Sequence, residues 1–182
     1  MKSGHSFFEK YSSEYAICHN KKLLILFLIG ILFTSCSSDD DNGIDCSLFD
    51  PAFPELYIRL VDETGTNLIE NGTIDPENIT VEGDFSNPGF QYIPPNEFAE
   101  PDADIRKYDK TLYLFIPNES NFKYTINLDD STSIILNFEA RFAELPCEVS
   151  YYIPTKLTFN NQNVESENAE TDELIFLAEI KI

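Results

Sequence analysis

Apolar and polar residues alternate with a period of two through most of the chain beyond residue 55. In the stretch 55–61, Leu56, Ile58 and Leu60 fall on one face and Tyr57 lies on the other. A period of two is typical of β-strands. Similar stretches lie at 79–82, 90–93, 111–116, 122–128, 134–142, 149–153, 156–159 and 174–182. Because turn residues separate them, the sequence predicts about seven to nine strands and an all-β fold, an antiparallel β-sandwich.

Three parts of the pattern are less regular. Leu68 and Ile69 follow a turn after the first strand and predict a short returning strand. Pro154 lacks a backbone N–H, so we expect it to separate the strand at 149–153 from the next one. The segment 160–172 is polar and acidic, which predicts a surface loop.

A long connection, residues 84–109, is the candidate binding loop. It contains four prolines and only one strand-like stretch, at 90–93. Loops of this length are uncommon unless they are functional or mobile. A variable surface loop is the favoured interpretation; if the domain has a binding site, we expect Tyr92 and Tyr108, with neighbouring acidic residues, to line it.

The amino-terminal part has the pattern of an export signal. Two lysines precede an apolar run of eleven residues, 23–33, and Thr34-Ser35-Cys36 follows it. A membrane-spanning helix needs about 20 apolar residues, whereas the core of a signal peptide has about 7–15. The run therefore predicts a signal helix, and residues 1–35 are set aside from the fold.

Thr34-Ser35-Cys36 resembles the lipobox of bacterial lipoproteins, although Phe33 stands where that family usually has an aliphatic residue. The resemblance implies diacylglyceryl transfer to the Cys36 thiol, cleavage before Cys36, and acylation of the new amino terminus, with palmitate as the expected chain. The acidic sequence SSDDDNGID that follows resembles the tether of surface-exposed lipoproteins of the Bacteroidetes type. In that group it directs export to the outer face of the outer membrane.

The remaining chain also resembles small flavobacterial lipoproteins. The likeness is carried by LYIRLVDETGTNLIENGT, by YTINLDDSTSIILNF, and by LTFNNQ after Cys147. It implies a sandwich of immunoglobulin-like or transthyretin-like type, and it implies no activity. We therefore expect a lipoprotein signal peptide at 1–35, a lipidated acidic tether at 36–50 and a β-sandwich domain at 51–182.

Charge narrows the range of partners. The 182 residues include 32 acidic and 12 basic ones, for a formal charge of −20. Cleavage before Cys36 removes four lysines and two glutamates, which leaves 147 residues with a formal charge of about −22. Such a surface repels phosphate backbones, so nucleic acid is not an expected partner.

Several kinds of catalysis are excluded by residue type. Both histidines, His5 and His19, precede the predicted cleavage site. The mature chain then lacks Ser–His–Asp and Cys–His systems and zinc sites that contain histidine. The seven glycines are scattered and form no phosphate-binding loop. We therefore expect no enzyme activity, no cofactor and no metal site.

Of the four cysteines, Cys18 precedes the predicted cleavage site and Cys36 is assigned to the lipid, which leaves Cys46 and Cys147. An exported protein meets a non-reducing environment, so a disulfide between them is the favoured interpretation. It would close a loop of about 100 residues, worth about 4–5 kcal/mol in the chain-entropy model. Two unpaired core cysteines, or a zinc site completed by carboxylates, are the alternatives.

These observations predict a non-enzymatic cell-surface lipoprotein of the outer membrane. Its Cys36 anchor would sit in the lipid bilayer, and its domain would bind a glycan, a peptide or an outer-membrane protein partner as a binding or accessory module. The first alternative is a structural or assembly protein of the envelope with no soluble ligand. A small hydrolase is the second.

Overall fold

The structure, a computed structural model, describes residues 43–168 and 174–182. Phe49–Ile182 form one compact unit, a sandwich of two β-sheets that confirms the predicted all-β class. The strands are β1 Glu55–Val61, β2 Thr80–Gly83, β3 Phe90–Ile93, β4 Thr111–Leu114, β5 Asn121–Asn127, β6 Ser133–Glu144, β7 Ser150–Phe159, β8 Gln162–Val164 and β9 Ile175–Lys181. One sheet has the strand order β3-β4-β1-β9 and the other β2-β5-β6-β7-β8. Two short 3₁₀ helices, Pro76–Asn78 and Asp104–Tyr108, lie in the connections.

The core forms where the inward faces of the two sheets meet. Leu56, Ile58 and Leu60 of β1 are fully buried, as the alternating pattern predicts. Tyr124 and Ile126 of β5 are fully buried on the facing sheet. Full burial of such an aliphatic side chain is worth about 1.5–3 kcal/mol, so these faces supply much of the driving force for folding.

The first and last strands pair in parallel. β1 and β9 are in register from Glu55 opposite Ile175 to Val61 opposite Lys181, whereas every other named pair of strands within the described ranges is antiparallel. The outer edge of β9 is covered by residues 166–167. The Glu167 amide donates to the Leu177 carbonyl over 2.8 Å. Such cover blunts an edge that would otherwise be open to another chain.

The prediction of a short strand at Leu68 and Ile69 is wrong. Both residues are buried, but they lie in a turn that touches β1 through a single bridge between Val61 and Asn67. The Asn67 side-chain oxygen accepts from the amides of Ile69 and Glu70. Asparagine side chains can bond nearby backbone amides in place of a sheet ladder, so this segment forms a turn and not a strand.

The prediction that Pro154 separates two strands is also wrong. β7 runs through Pro154, which lies opposite Ala140, and the register shifts between Glu139 and Ala140. This bulge places the proline where the ladder tolerates a missing N–H, so the strand continues.

Part of the loop expected at 160–172 is a hairpin. β8 returns along β7 after Asn160 and Asn161, whose φ angles are 50° and 60°. Two central residues with positive φ form the tight turn that matches the twist of paired strands, and asparagine tolerates that conformation.

Cys46 and Cys147 lie at disulfide distance and are bonded, as the favoured interpretation predicts. This pairing contradicts the two alternatives, unpaired cysteines and a zinc site. The signal helix and the part of the tether at 36–42 lie outside the described residues. The choice between immunoglobulin-like and transthyretin-like arrangements stays a prediction.

A buried tyrosine ties the two sheets together. The Tyr124 hydroxyl, on β5, lies 2.7 Å from the Phe115 carbonyl oxygen and 3.1 Å from that of Gly89. These two residues flank the β3–β4 pair, and the Phe115 amide donates to the Gly89 carbonyl. Burial raises the pKa of Tyr124 to about 12, despite its hydrogen bonds to the backbone, so the hydroxyl stays a neutral donor.

We expect Tyr124→Phe to lower the free energy of unfolding by about 1–3 kcal/mol, because the Phe115 and Gly89 carbonyls lose the hydrogen bonds of the buried Tyr124 hydroxyl. Urea unfolding at neutral pH measures this loss. Tyr152→Phe, at a partly exposed ring, is the matched control and should change stability far less. Equal costs in the two variants would contradict the role of Tyr124.

The same substitution should change how folding stability depends on pH. The folded chain holds the Tyr124 proton above pH 10, where an unfolded tyrosine releases it, so folding stability falls as pH rises from about 10 to 12. Tyr124→Phe should lose less stability over that window than the unaltered protein does. Parallel stability–pH curves for the two would contradict the assignment.

Candidate binding site

The long connection between β3 and β4 is held in place by an arginine. Arg106 donates through Nη1 to the carbonyl oxygens of Asn96 (2.7 Å) and Ala99 (3.2 Å). Its Nη2 lies 3.5 Å from the carboxylate of Asp109, whose other oxygen accepts from the Asn96 amide over 3.0 Å. These contacts connect the two ends of the segment 96–109, so this part of the candidate binding loop has a well-defined conformation.

This built segment displays a phenylalanine. The Asn96 side-chain oxygen accepts from the amides of Phe98 and Ala99, each over 3.1 Å, and so forms a local turn. Phe98 at that turn is 99% exposed. A large apolar side chain held out in water by a fixed turn gains nothing for folding, which makes it a candidate for ligand contact.

Tyrosines cover the outer face of the four-stranded sheet beside this segment. Tyr57 on β1 and Tyr113 on β4 are a directly opposed pair, with ring centroids 5.3 Å apart. Tyr108, at the end of the second 3₁₀ helix, places its ring 4.6 Å from that of Tyr57, and Phe115 lies 6.1 Å from Tyr113. We call these four side chains the aromatic row. Opposed aromatic pairs stabilise antiparallel strands, so the row is both structural and accessible in part.

Burial and a glutamate raise the pKa of two tyrosines in the row, Tyr57 and Tyr113. The Tyr57 hydroxyl donates to the Glu55 carboxylate over 3.0 Å. Burial, and then this carboxylate, raise the pKa of Tyr57 well above its usual value. Burial and the charge of Glu55 also raise the pKa of Tyr113. Both hydroxyls are therefore neutral at physiological pH.

An open hollow of about 720 Å³ lies between the 96–109 segment and the aromatic row. Prolines and aromatic rings form its walls, and carboxylates form its rim. It is lined by Glu55, Tyr57, Ile93, Pro94, Pro95, Asn96, Glu97, Phe98, Ile105, Tyr108 and Asp109. No lysine or arginine is among these lining residues. We call it the acidic hollow.

A second hollow, of about 450 Å³, lies at the other end of the aromatic row. Part of its rim is the start of β7, where the Tyr151 ring lies 5.8 Å, centroid to centroid, from the ring of Phe53, which precedes β1. It is lined by Phe53, Pro54, Tyr113, Phe115, Ile116, Pro117, Asn118, Ser150, Tyr151 and Tyr152. None of these side chains is charged, and we call this site the uncharged hollow.

The predicted site residues separate in the structure. Tyr108 lines the acidic hollow, but Tyr92 is partly buried and packs against the core, because β3 turns that side chain inward. Cys36 lies outside the described residues. Tyr57 and Phe98 were not among the predicted site residues, although the outward position of Tyr57 on an alternating strand indicated an exposed ring.

The described part of the chain offers no further chemical signature. Across residues 43–168 and 174–182, no group of three or more histidine, cysteine, aspartate or glutamate side chains is placed to hold a metal ion. None of the helices in those residues has the length and apolar character to span a membrane. No protein-family model, curated protein or solved structure matches the chain. The geometry can hold a ligand against aromatic and proline walls beside carboxylates.

We expect Arg106→Ala to loosen the 96–109 segment, because it removes two hydrogen bonds to carbonyl oxygens and one ion pair. Amide hydrogen exchange should speed up at Asn96 and Ala99, with β1 and β4 unchanged. Lys156→Ala removes an equally charged, exposed partner of Glu139 on the other sheet and is the matched control. Unchanged exchange at Asn96 in Arg106→Ala would show that the arginine does not hold the loop.

Proposed function

We propose that this protein is a lipid-anchored binding module of the bacterial cell surface. The acidic hollow carries the proposal, because a fixed segment presents a fully exposed Phe98 over a wall of prolines and tyrosines. Sites that recognise ligands are typically concave and mostly apolar, with a few placed polar groups. The hollow fits that description and is larger than the hollow at the far end of the aromatic row.

Binding is favoured over catalysis by the state of the carboxylates. Asp109 is engaged by the Asn96 amide and by Arg106, and its side chain is only 13% exposed. Glu55 accepts from the Tyr57 hydroxyl. Glu97, the third acid of the hollow, lies on its exposed rim. A small hydrolase would need two carboxyls available to face each other across a substrate, and this hollow does not favour that arrangement.

The anchor is supported by the sequence. The lipobox-like Thr34-Ser35-Cys36 and the acidic tether favour attachment through Cys36 to the outer membrane, with the domain facing the exterior. A purely structural envelope protein, the alternative, gives no reason for a displayed Phe98.

We expect Cys36→Ser to release the protein from the membrane fraction, because the thiol that carries the diacylglyceryl group is lost. Membrane fractionation and metabolic labelling with palmitate measure this. Ser38→Ala, in the tether, is the control and should stay membrane-bound and labelled. Retention of label in Cys36→Ser would contradict lipidation at this residue.

Ligand binding is tested by screening the full-length protein, held in lipid vesicles, against peptide and glycan arrays. Signals that depend on the acidic hollow should fall about fivefold or more in Phe98→Ala, as expected for an aromatic contact near the centre of an interface. Ile135→Ala removes an apolar side chain that is 50% exposed on the other sheet, and it should leave those signals unchanged.

The outcome that overturns the proposal is also defined. If every array signal is the same in Phe98→Ala as in Ile135→Ala, the acidic hollow is not a binding site. The structural alternative would then be the better account of the domain.

A further inference from the structure

We infer that the two hollows form one groove, which binds an extended, basic and proline-containing polypeptide segment of a partner protein. A lysine or arginine of that segment enters the acidic hollow, and a proline or other apolar residue enters the uncharged hollow. The inference rests on the proposed function and names its ligand class.

The two hollows adjoin across one pair of opposed residues. Tyr57 lines the acidic hollow and Tyr113 lines the uncharged hollow. β1 and β4 set these two tyrosines directly opposite each other, with ring centroids 5.3 Å apart. An extended polyproline-type chain advances about 3.1 Å per residue, so about two of its residues span the distance between these two rings.

The charge of the acidic hollow favours a cation. Glu55 and Glu97 line it, and no lysine or arginine is among its lining residues, although the third acid, Asp109, is already paired with Arg106. The whole chain has a formal charge of −20. Tyrosine faces attract cations as well. The structure contains such a contact, since the Lys107 amino group lies 5.1 Å from the centre of the Tyr108 ring. An acidic peptide or a phosphate-bearing ligand would be repelled from the same place.

The composition of both walls favours proline-type recognition. Pro94 and Pro95 line the acidic hollow, and Pro54 and Pro117 line the uncharged one. Prolines carry no backbone donor, so a strand added by ladder hydrogen bonding is not favoured along these walls. Aromatic grooves instead recognise extended proline-containing segments through side-chain contact, because such segments are already ordered before they bind.

A neutral glycan is the competing occupant. Glycans also stack on aromatic rings, but their hydroxyls need several polar partners. Beside the hydroxyls of its three tyrosines, the uncharged hollow offers a glycan only the polar side chains of Asn118 and Ser150. Nor does a neutral sugar benefit from the carboxylates at low ionic strength, as a lysine does.

The test uses full-length protein in lipid vesicles and a short synthetic peptide in which lysines and prolines alternate with alanines. Three comparison probes are a peptide with glutamate for lysine, a peptide with alanine for proline, and a neutral β-glucan oligosaccharide. Isothermal titration calorimetry or fluorescence anisotropy measures each affinity at low and at high salt. We expect only the lysine–proline peptide to bind well, and to weaken as salt increases.

Two substitutions separate the two hollows. Glu97→Gln removes a carboxylate on the exposed rim and should weaken the peptide about two- to fivefold, with a reduced salt dependence. Tyr152→Ala should weaken it about five- to tenfold without changing the salt dependence. Glu82→Gln, an exposed acid on β2 of the other sheet, and Ile135→Ala are the controls and should change neither quantity.

Each result decides the question. Equal binding of the lysine and glutamate peptides, or an affinity that neither Glu97→Gln nor salt changes, overturns the inference. Glycan binding that is lost in Phe98→Ala would leave the proposed function standing while this inference falls. If neither peptide nor glycan binding depends on Phe98, Glu97 or Tyr152, both the inference and the proposed function fail.

Discussion

The hydrogen bonds of one buried hydroxyl connect the core of this protein to its surface. Tyr124 extends from the five-stranded sheet and reaches the Phe115 and Gly89 carbonyls of the four-stranded sheet. Glycine suits this position because a Cβ there would be 2.8 Å from the Phe115 ring, which would have to shift. A buried carbonyl without a donor is costly, so this polar contact fixes how the two sheets sit together. The backbone so fixed also holds the Phe115 side chain at the rim of a hollow.

The four-stranded sheet therefore uses its two faces differently. Its inner face contributes aliphatic side chains to the core, while its outer face presents tyrosines, a phenylalanine and glutamates. Tyrosine suits the second role because its ring packs against the sheet while its hydroxyl meets water or a carboxylate. The loops that pass over this face turn a flat sheet into two hollows. Arg106 and Asn96 are as important to the acidic hollow as the rings that line it, because they define where Phe98 stands.

The sequence predicts local structure well where alternation is strong, and poorly where side chains act on distant backbone. β1 and β3 begin and end at the expected residues, because Leu, Ile, Tyr and Phe alternate cleanly there. The turn at Leu68 was not predicted because it depends on hydrogen bonds to the Asn67 side chain. The continuity of β7 was not predicted because it depends on a bulge that accommodates Pro154. Strand partners are a harder problem. Nothing local to Tyr57 indicates that Tyr113 lies opposite, so the aromatic row and both hollows become visible only with the register of β1 and β4. Tyr108 was found from loop composition, and Tyr92 was misplaced because alternation turns it inward.

The parallel pairing of β1 with β9 has a consequence for the order of folding. Residues paired across these two strands lie about 120 positions apart, as the contact between Arg59 and Glu179 shows. β1 is a central strand of its sheet, yet one of its two partners is β9, which leaves the ribosome much later. Long-range pairings of this kind form slowly, and strands that are still unpaired are prone to aggregate. The native state of the four-stranded sheet is thus reached only after β9 has been synthesised. A protein kept unfolded until it has been exported would meet that requirement without delay, since all nine described strands would then arrive together.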